Sequence, residues 1–245
     1  MTLYIEPSGG FAGDMFIAAL VDAGADEKHI LSVIQRAAAR VGKAEAGFSR
    51  THDGCLRLQL NLHPYHHSIS GDQAHSLLTD IMVREDVTEP YQAFGMRVLE
   101  HLCQAEQEAH QDAGLFPGHA AAGVHLHEAQ DIIIDIMGAV LGLQMLGQEP
   151  AAGLLAPVAC GGGTITFSHG TLPVPAPATR ILIREHRLPV ISGPINQELF
   201  TPTGAALLAG LRAGRQPFAG RQTTSGCSRG SRDLAVAPLR LYIAA

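Results

Sequence analysis

The run from Ile132 to Leu146 limits what this chain can fold into more than any other segment. Ile132-Ile133-Ile134, Ile136-Met137, Val140-Leu141 and Leu143 cover every side of a helix, and only Asp135 and Gln144 interrupt them. A helix that is apolar all round has no face for water, so other elements must cover it. It is too short to cross a bilayer, which takes roughly 20 apolar residues. The helix reads from Glu128 to Leu146. Glu128, Asp131 and Asp135 then fall at i, i+3 and i+7 on one face, and Gly138 and Gly142 continue the stripe. Buried carboxylates need a cation or strong donors. The plain alternative is an aspartate pair capping a neighbouring loop.

Just before this helix stands Val124-His125-Leu126-His127. In an extended chain His125 and His127 leave the same side, as two ligands of one metal must; a pair of solvated histidines is the alternative. Ten of the 13 histidines lie between His52 and His127. His66-His67 falls where an alternating strand meets the first middle helix. Adjacent histidines on a strand point apart, so both can ligate one ion only from a turn, and His63 and His75 are near in sequence. His169 precedes the extended stretch set by Pro173, Pro175 and Pro177.

Around these candidates the chain reads as α+β or mixed α/β. Residues 1–64 form a small βααβ unit: a strand at Leu3–Ile5, a helix over Met15–Val21 stopped at Gly24, a helix over Glu27–Val41, and a strand in which Leu56, Leu58, Leu60 and Leu62 alternate with polar residues. An extra strand is expected near Phe48. Residues 65–149 are helical, with helices at Asp72–Arg84 and Pro90–Gln111 and a loop at Gly114–Gly123. Residues 150–245 alternate short strands (Leu154–Cys160, Thr164–Phe167, Leu239–Ile243) with helices near Ala178–His186 and Pro202–Leu211. This C-terminal half is expected to complete a mixed sheet within a single domain.

Two segments suit an anion. Ser8-Gly9-Gly10-Phe11-Ala12-Gly13-Asp14 follows a strand and opens a helix, the layout in which backbone N–H groups and the helix dipole receive phosphate. It lacks the Lys-Ser/Thr of a P-loop and the G-x-G-x-x-G spacing, so a tight turn is the competing reading. Thr201-Pro202-Thr203-Gly204 has an N-cap, a proline at N1 and an open helix start. With 17 Lys+Arg against 23 Asp+Glu and a net charge of −6, the chain has no basic stripe for nucleic acid or an anionic membrane. The N-terminus reads as no signal peptide, and a cytoplasmic protein is expected. Cys55, Cys103, Cys160 and Cys227 have no C-x-x-C pair, and fit buried free thiols better than a disulfide framework.

Taken together, the segments resemble the LarC family of nickel insertion proteins. Ser8-Gly9…Gly13-Asp14-Met15 is similar to its S-G-x-x-G-D-M, and His66-His67 to its H-H motif. Ala105-Glu106…His110 is similar to A-E-x-x-x-H, Val124–Glu128 to V-H-F-H-E, and Asp131…Asp135 to D-x-I-x-D. His169-Gly170…Pro173–Thr179 and Glu198–Leu207 resemble its two most distinctive stretches. The matches keep family order along nearly the whole chain. There are departures: only Ala129-Gln130 separates Glu128 from Asp131 where the family has a longer loop, and Gly226–Gly230 replaces a G-Y-G-A-G-like turn.

The resemblance implies insertion of nickel into pyridinium-3,5-bisthiocarboxylic acid mononucleotide, a CTP-dependent cyclometallation that makes two Ni–S bonds and one Ni–C bond. It implies a lyase-class enzyme that matures the nickel-pincer cofactor of lactate racemase. On this reading His66, His67, His125, His127, Glu128, Asp131 and His169 are metal ligands. His127, Glu128 and Asp135 are catalytic, and Gly9, Gly10, Gly13, Asp14, Thr201, Thr203 and Gly204 bind the mononucleotide. CTP with Mg or Mn is expected on a second domain that continues beyond this N-terminal half in full-length members. The implied partners are that domain as a separate chain, the nickel-pincer precursor or its donor protein, and a second copy of the chain. Imidazole and carboxylate leave the preferred divalent metal open. Two other readings stand beside this one: a non-catalytic nickel carrier, scaffold or inactive paralogue, and a zinc-dependent hydrolase built on His125-x-His127.

Overall fold

The computed structural model describes residues 1–66, 68–111, 125–167 and 170–245. The expected loop at Gly114–Gly123, and with it His67 and His169, lie outside the described residues. In chain order the elements are β1 (Thr2–Glu6), α1 (Gly13–Asp22), α2 (Glu27–Ala38), β2 (Gly42–Arg50), β3 (Leu56–Pro64), β4 (Ser68–Ser70), α3 (Gly71–Arg84) and α4 (Tyr91–Gln111). Then come β5 (His125–His127), α5 (Ala129–Met145), β6 (Ala152–Leu154), β7 (Val158–Ala159), β8 (Thr164–Phe167), β9 (Gly170–Pro173) and α6 (Pro177–His186). The chain closes with β10 (Val190–Ile191), α7 (Pro202–Gly210), β11 (Gly214–Arg215), β12 (Gln222–Ser228) and β13 (Leu239–Ala244). This is a mixed α/β fold.

Seven strands form one mixed sheet in the order β11-β6-β1-β13-β12-β3-β2. β13 runs antiparallel to both β1 and β12, with Ile5 opposite Leu241 and Gly226 opposite the same residue on the other side. β12 and β13 therefore stand between β1 and β3. Within the first 64 residues β2 and β3 pair directly, while β1 reaches them in the sheet only through these two C-terminal strands. The expected strand Leu154–Cys160 is two strands. Leu154 ends β6 beside β1, the chain turns at Pro157, which has no N–H to give a ladder, and Val158–Ala159 pairs with β10 instead.

α1 lies on β3, β12 and β13, and α5 packs over α1 and α2, with α3 and α4 on its other sides. This accounts for the all-round apolar character of α5: from Ile132 to Leu143 every side chain is buried. Gly138 and Gly142 face α1, where a Cβ would come within 2.5 Å of Ile17 and 2.8 Å of Leu20. The glycine stripe is thus a close helix crossing, and it brings the acidic end of α5 to the start of α1. α6 and α7 complete the layer against α4. One continuous apolar cluster joins residues from Leu3 to Ile243.

The cysteines depart from expectation. Cys55 and Cys227 form a disulfide across 172 residues of sequence, while Cys103 and Cys160 are free. The pairing follows from the sheet: Ser228 stands opposite Leu56 in the β3–β12 ladder, so the two preceding residues are neighbours. No spacing rule in the sequence could have shown it.

Candidate functional site

A cavity of about 870 Å³ opens between β3 of the sheet and the helices. Four helices begin on it. Ala12–Met15 at the start of α1, Glu128 and Asp131 at the start of α5, Ala176–Ala178 at the start of α6 and Thr201–Thr203 at the start of α7 all line its wall. Leu58, Leu60 and Leu62 of β3 and Leu102 of α4 supply an apolar side. The alternating leucines of the sequence are therefore both core and cavity wall.

Six carboxylates line the same space: Asp14, Glu106, Glu128, Asp131, Asp135 and Glu198. Asp135 is 3% exposed, and its Oδ1 has no hydrogen-bond partner among the described residues. Burial, with the charges of Asp131 and Asp14 beside it, drives its pKa well above the carboxylate range. Asp131 is pushed up to about 7 by burial and by Asp14 and Glu128. Burial and Glu128 also raise Glu106 to about 7. Asp14 rises to about 6 by burial, although its Oδ1 and Oδ2 accept from the amides of Met15 (2.7 Å) and Ser231 (3.2 Å). Glu198 reaches about 7 through burial, opposed by Arg232 and assisted by Glu128. Clustered acids of this kind hold protons that a cation would displace.

Glu128 occupies the N-cap of α5 with φ +57°, the left-handed region that a non-glycine residue enters at a cost. That conformation turns the chain from β5 into α5 and places Glu128 on the cavity rim. β5 pairs antiparallel with β4, Ser68 opposite His127 and Ser70 opposite His125. The segment following His66-His67 therefore runs alongside the His125–His127 strand. His127 is half-buried and lines the cavity; its ring stacks on His110 of α4 at 6.0 Å with planes 7° apart. His110 is in turn 3.7 Å from Glu106.

The predicted residues divide as follows. His127, Glu128, Asp131, Asp135, Gly9, Gly13, Asp14, Thr201 and Thr203 line the cavity. His66 and His125 are exposed and do not. Among the described residues no three His, Cys, Asp or Glu side chains stand close enough to hold a metal ion as they are. Gly10 donates its amide to Pro7 O (3.0 Å), and Phe11 donates to Leu199 O (2.8 Å), so the glycine turn uses these groups within the fold. Gly204 donates to Thr201 Oγ1 at 3.1 Å, the cap its sequence suggests. Sequence reasoning did not include Glu106, His110, Glu198 or Arg232 in the site. Glu106 and His110 had a readable signal, an acid and a histidine at i and i+4 on a helix. Arg232 had none.

The family model described as Nickel insertion protein matches residues 3–245. A pyridinium-3,5-bisthiocarboxylic acid mononucleotide nickel insertion protein of Nocardioides sp. is 34% identical over 251 residues, 99% of this chain and 59% of its own. A protein of the same name from Akkermansia muciniphila is 31% identical over 245 residues, 94% of this chain and 56% of its own. A third, from Staphylococcus saprophyticus, is 30% identical over 218 residues, 85% of this chain and 50% of its own. The chain spans between 49% and 60% of the length of the curated relatives it matches. No solved structure matches it.

Proposed function

This chain belongs to the nickel insertion protein family, and we propose that its cavity holds nickel and the pyridinium bisthiocarboxylate mononucleotide together while the metal is inserted. The observation that carries this reading is Asp135: a buried carboxylate with an oxygen that finds no partner, at the base of a wall of five more acids. Such a group is stable only with a proton or a cation. Carboxylate and imidazole are suitable donors for Ni²⁺ and are weak enough for the sulfur atoms of the substrate to replace them.

In this mechanism nickel is a substrate, received by His127, Glu128 and Asp131, with Asp131 giving up its proton to the metal. The Ni–C bond forms as the ring C–H breaks, and the proton leaves to a carboxylate. Asp135 takes that role once the incoming cation has displaced its own proton, and the ring proton then replaces the one that left. The apolar wall of Leu58, Leu60 and Leu62 holds the flat ring, and a CTP-binding domain or partner chain completes the enzyme.

Competition with a chromogenic chelator tests the reading. The wild-type chain should bind Ni²⁺, and His127→Ala with Asp131→Asn should weaken binding at least about 100-fold, the cost of about 3 kcal/mol in lost ligation. Nickel affinity unchanged in that double variant would sink it. Adding substrate and CTP, with and without the CTP-binding domain, separates enzyme from carrier: no product in either case favours the carrier.

A further inference from the structure

The four helix starts on the cavity are not equivalent. Each of these helices has nine or more residues, and each brings the positive end of its dipole to the same space. At α1 that end is met by Asp14 and by the Asp135 carboxylate lying against Gly13, and at α5 by Asp131. α6 and α7 carry no acid in the first turn; each begins with proline, and the amides of Ala178 and Thr203 have no acceptor among the described residues. Two dipoles are thus met by carboxylates and two are not, α7 having only the neutral Thr201 cap on its Gly204 amide.

Two side chains at the open end point independently to an anion. Thr203 is 7% exposed and lines the cavity, yet its hydroxyl makes no hydrogen bond among the described residues. The little of Thr203 that is accessible faces this space, which leaves its hydroxyl available to donate to a ligand there. Arg232, an exposed side chain, also lines the cavity and makes no ion pair among the described residues, although its charge is felt by Glu198, whereas Arg229 nearby is tied to Asp53 at 2.7 Å and to Val236 O at 2.8 Å. Thr201 and Ser231 line the same cavity, and Glu198 in its wall feels the charges of both Arg232 and Glu128.

We propose that the starts of α6 and α7, with Thr203 and Arg232, form a phosphate-monoester subsite, which holds the mononucleotide by its phosphate and delivers its ring to the carboxylate end. The cavity is then bipolar, with a dianion at one end and a divalent cation at the other. The inference rests on the nickel-insertion reading for the identity of the ligand, but its geometry is separate from the metal ligands. The subsite takes a phosphate ester or free phosphate by the same chemistry; the apolar wall favours the ester of a flat base.

Calorimetric titration without nickel tests it, using three probes: a pyridine mononucleotide, the matching nucleoside without phosphate, and inorganic phosphate. The nucleotide should bind at least tenfold more tightly than the nucleoside, with inorganic phosphate weaker still. Arg232→Ala and the isosteric Thr203→Val should each lower nucleotide affinity about tenfold and leave nucleoside binding in place. Equal affinity for nucleotide and nucleoside, or nucleotide affinity unchanged in Arg232→Ala, overturns the proposal. Inorganic phosphate binding as tightly as the nucleotide would assign the pocket to a free anion and also overturn it. Nickel titration of the same proteins reports on the carboxylate end alone, so failure of the nickel reading is seen apart from failure of this one.

Discussion

The carboxylate of Asp135 rests against the α-carbon of Gly13, so closely that a Cβ on residue 13 would fall within it. Only glycine lets the start of α1 approach the acid of α5 in this way. Gly13→Ala should therefore destabilise the protein by about 1–3 kcal/mol, the usual cost of overpacking. Asp135→Ala vacates the space the new methyl needs. In urea denaturation the double variant should recover about 1 kcal/mol or more relative to the sum of the single losses. Strictly additive losses would show that the two residues do not confine each other.

The pH dependence follows from the raised carboxylates. Asp14 titrates at about 6 and Glu106, Asp131 and Glu198 at about 7 in the fold, against about 4 in the unfolded chain. Between those values the folded state holds more protons than the unfolded state. The stability these groups allow is full below the unfolded pKa and is lost as pH rises through the folded values. The thermal midpoint of nickel-free protein should fall between about pH 5 and pH 8, and added Ni²⁺ should raise it more at the higher pH, where fewer protons must be displaced. Scanning calorimetry at both values checks this; a larger nickel effect at pH 5 contradicts it.

Glu128 combines a left-handed backbone with a place on the cavity rim. Glu128→Gly relieves the conformational cost and should leave stability unchanged or raise it by up to about 1 kcal/mol. Nickel affinity should nevertheless fall. A variant that is less stable and binds nickel normally would assign Glu128 a structural role only.

The hairpin of β2 and β3 joins the rest of the sheet through a single residue pair, Ser228 opposite Leu56, and through the Cys55–Cys227 bond next to it. Cys227→Ser should cost about 2–4 kcal/mol. Dithiothreitol should lower the urea midpoint of the wild type to that of the variant and leave the variant where it is. Equal sensitivity of both proteins would place the stabilisation elsewhere.

Much of the local structure was legible because it depends on neighbouring residues. The periods of α1, α4 and α5, the alternating leucines of β3 and the Thr201 cap all appear where the sequence placed them. β12 did not, because Gln222–Ser228 has no apolar alternation. It becomes a strand through its partners β13 and β3, and its small residues admit α1: a Cβ on Gly226 would meet the Ala19 carbonyl. The acidic stripe on α5 was visible as a stripe, but not its relation to Glu106 and Glu198, which lie on other elements.

By itself, the sequence determined which helix must be buried and that its acids would need a counter-charge, since both follow from a 3.6-residue period and the cost of burying a carboxylate. The family is likewise written in the chain, as short motifs kept in order. Only the tertiary structure decided which acids share a space, that Cys55 meets Cys227, and that Arg232 lines the same cavity as the starts of α6 and α7. These relations join residues far apart in the chain, and are set by how the sheet orders its strands and how closely α5 can approach α1.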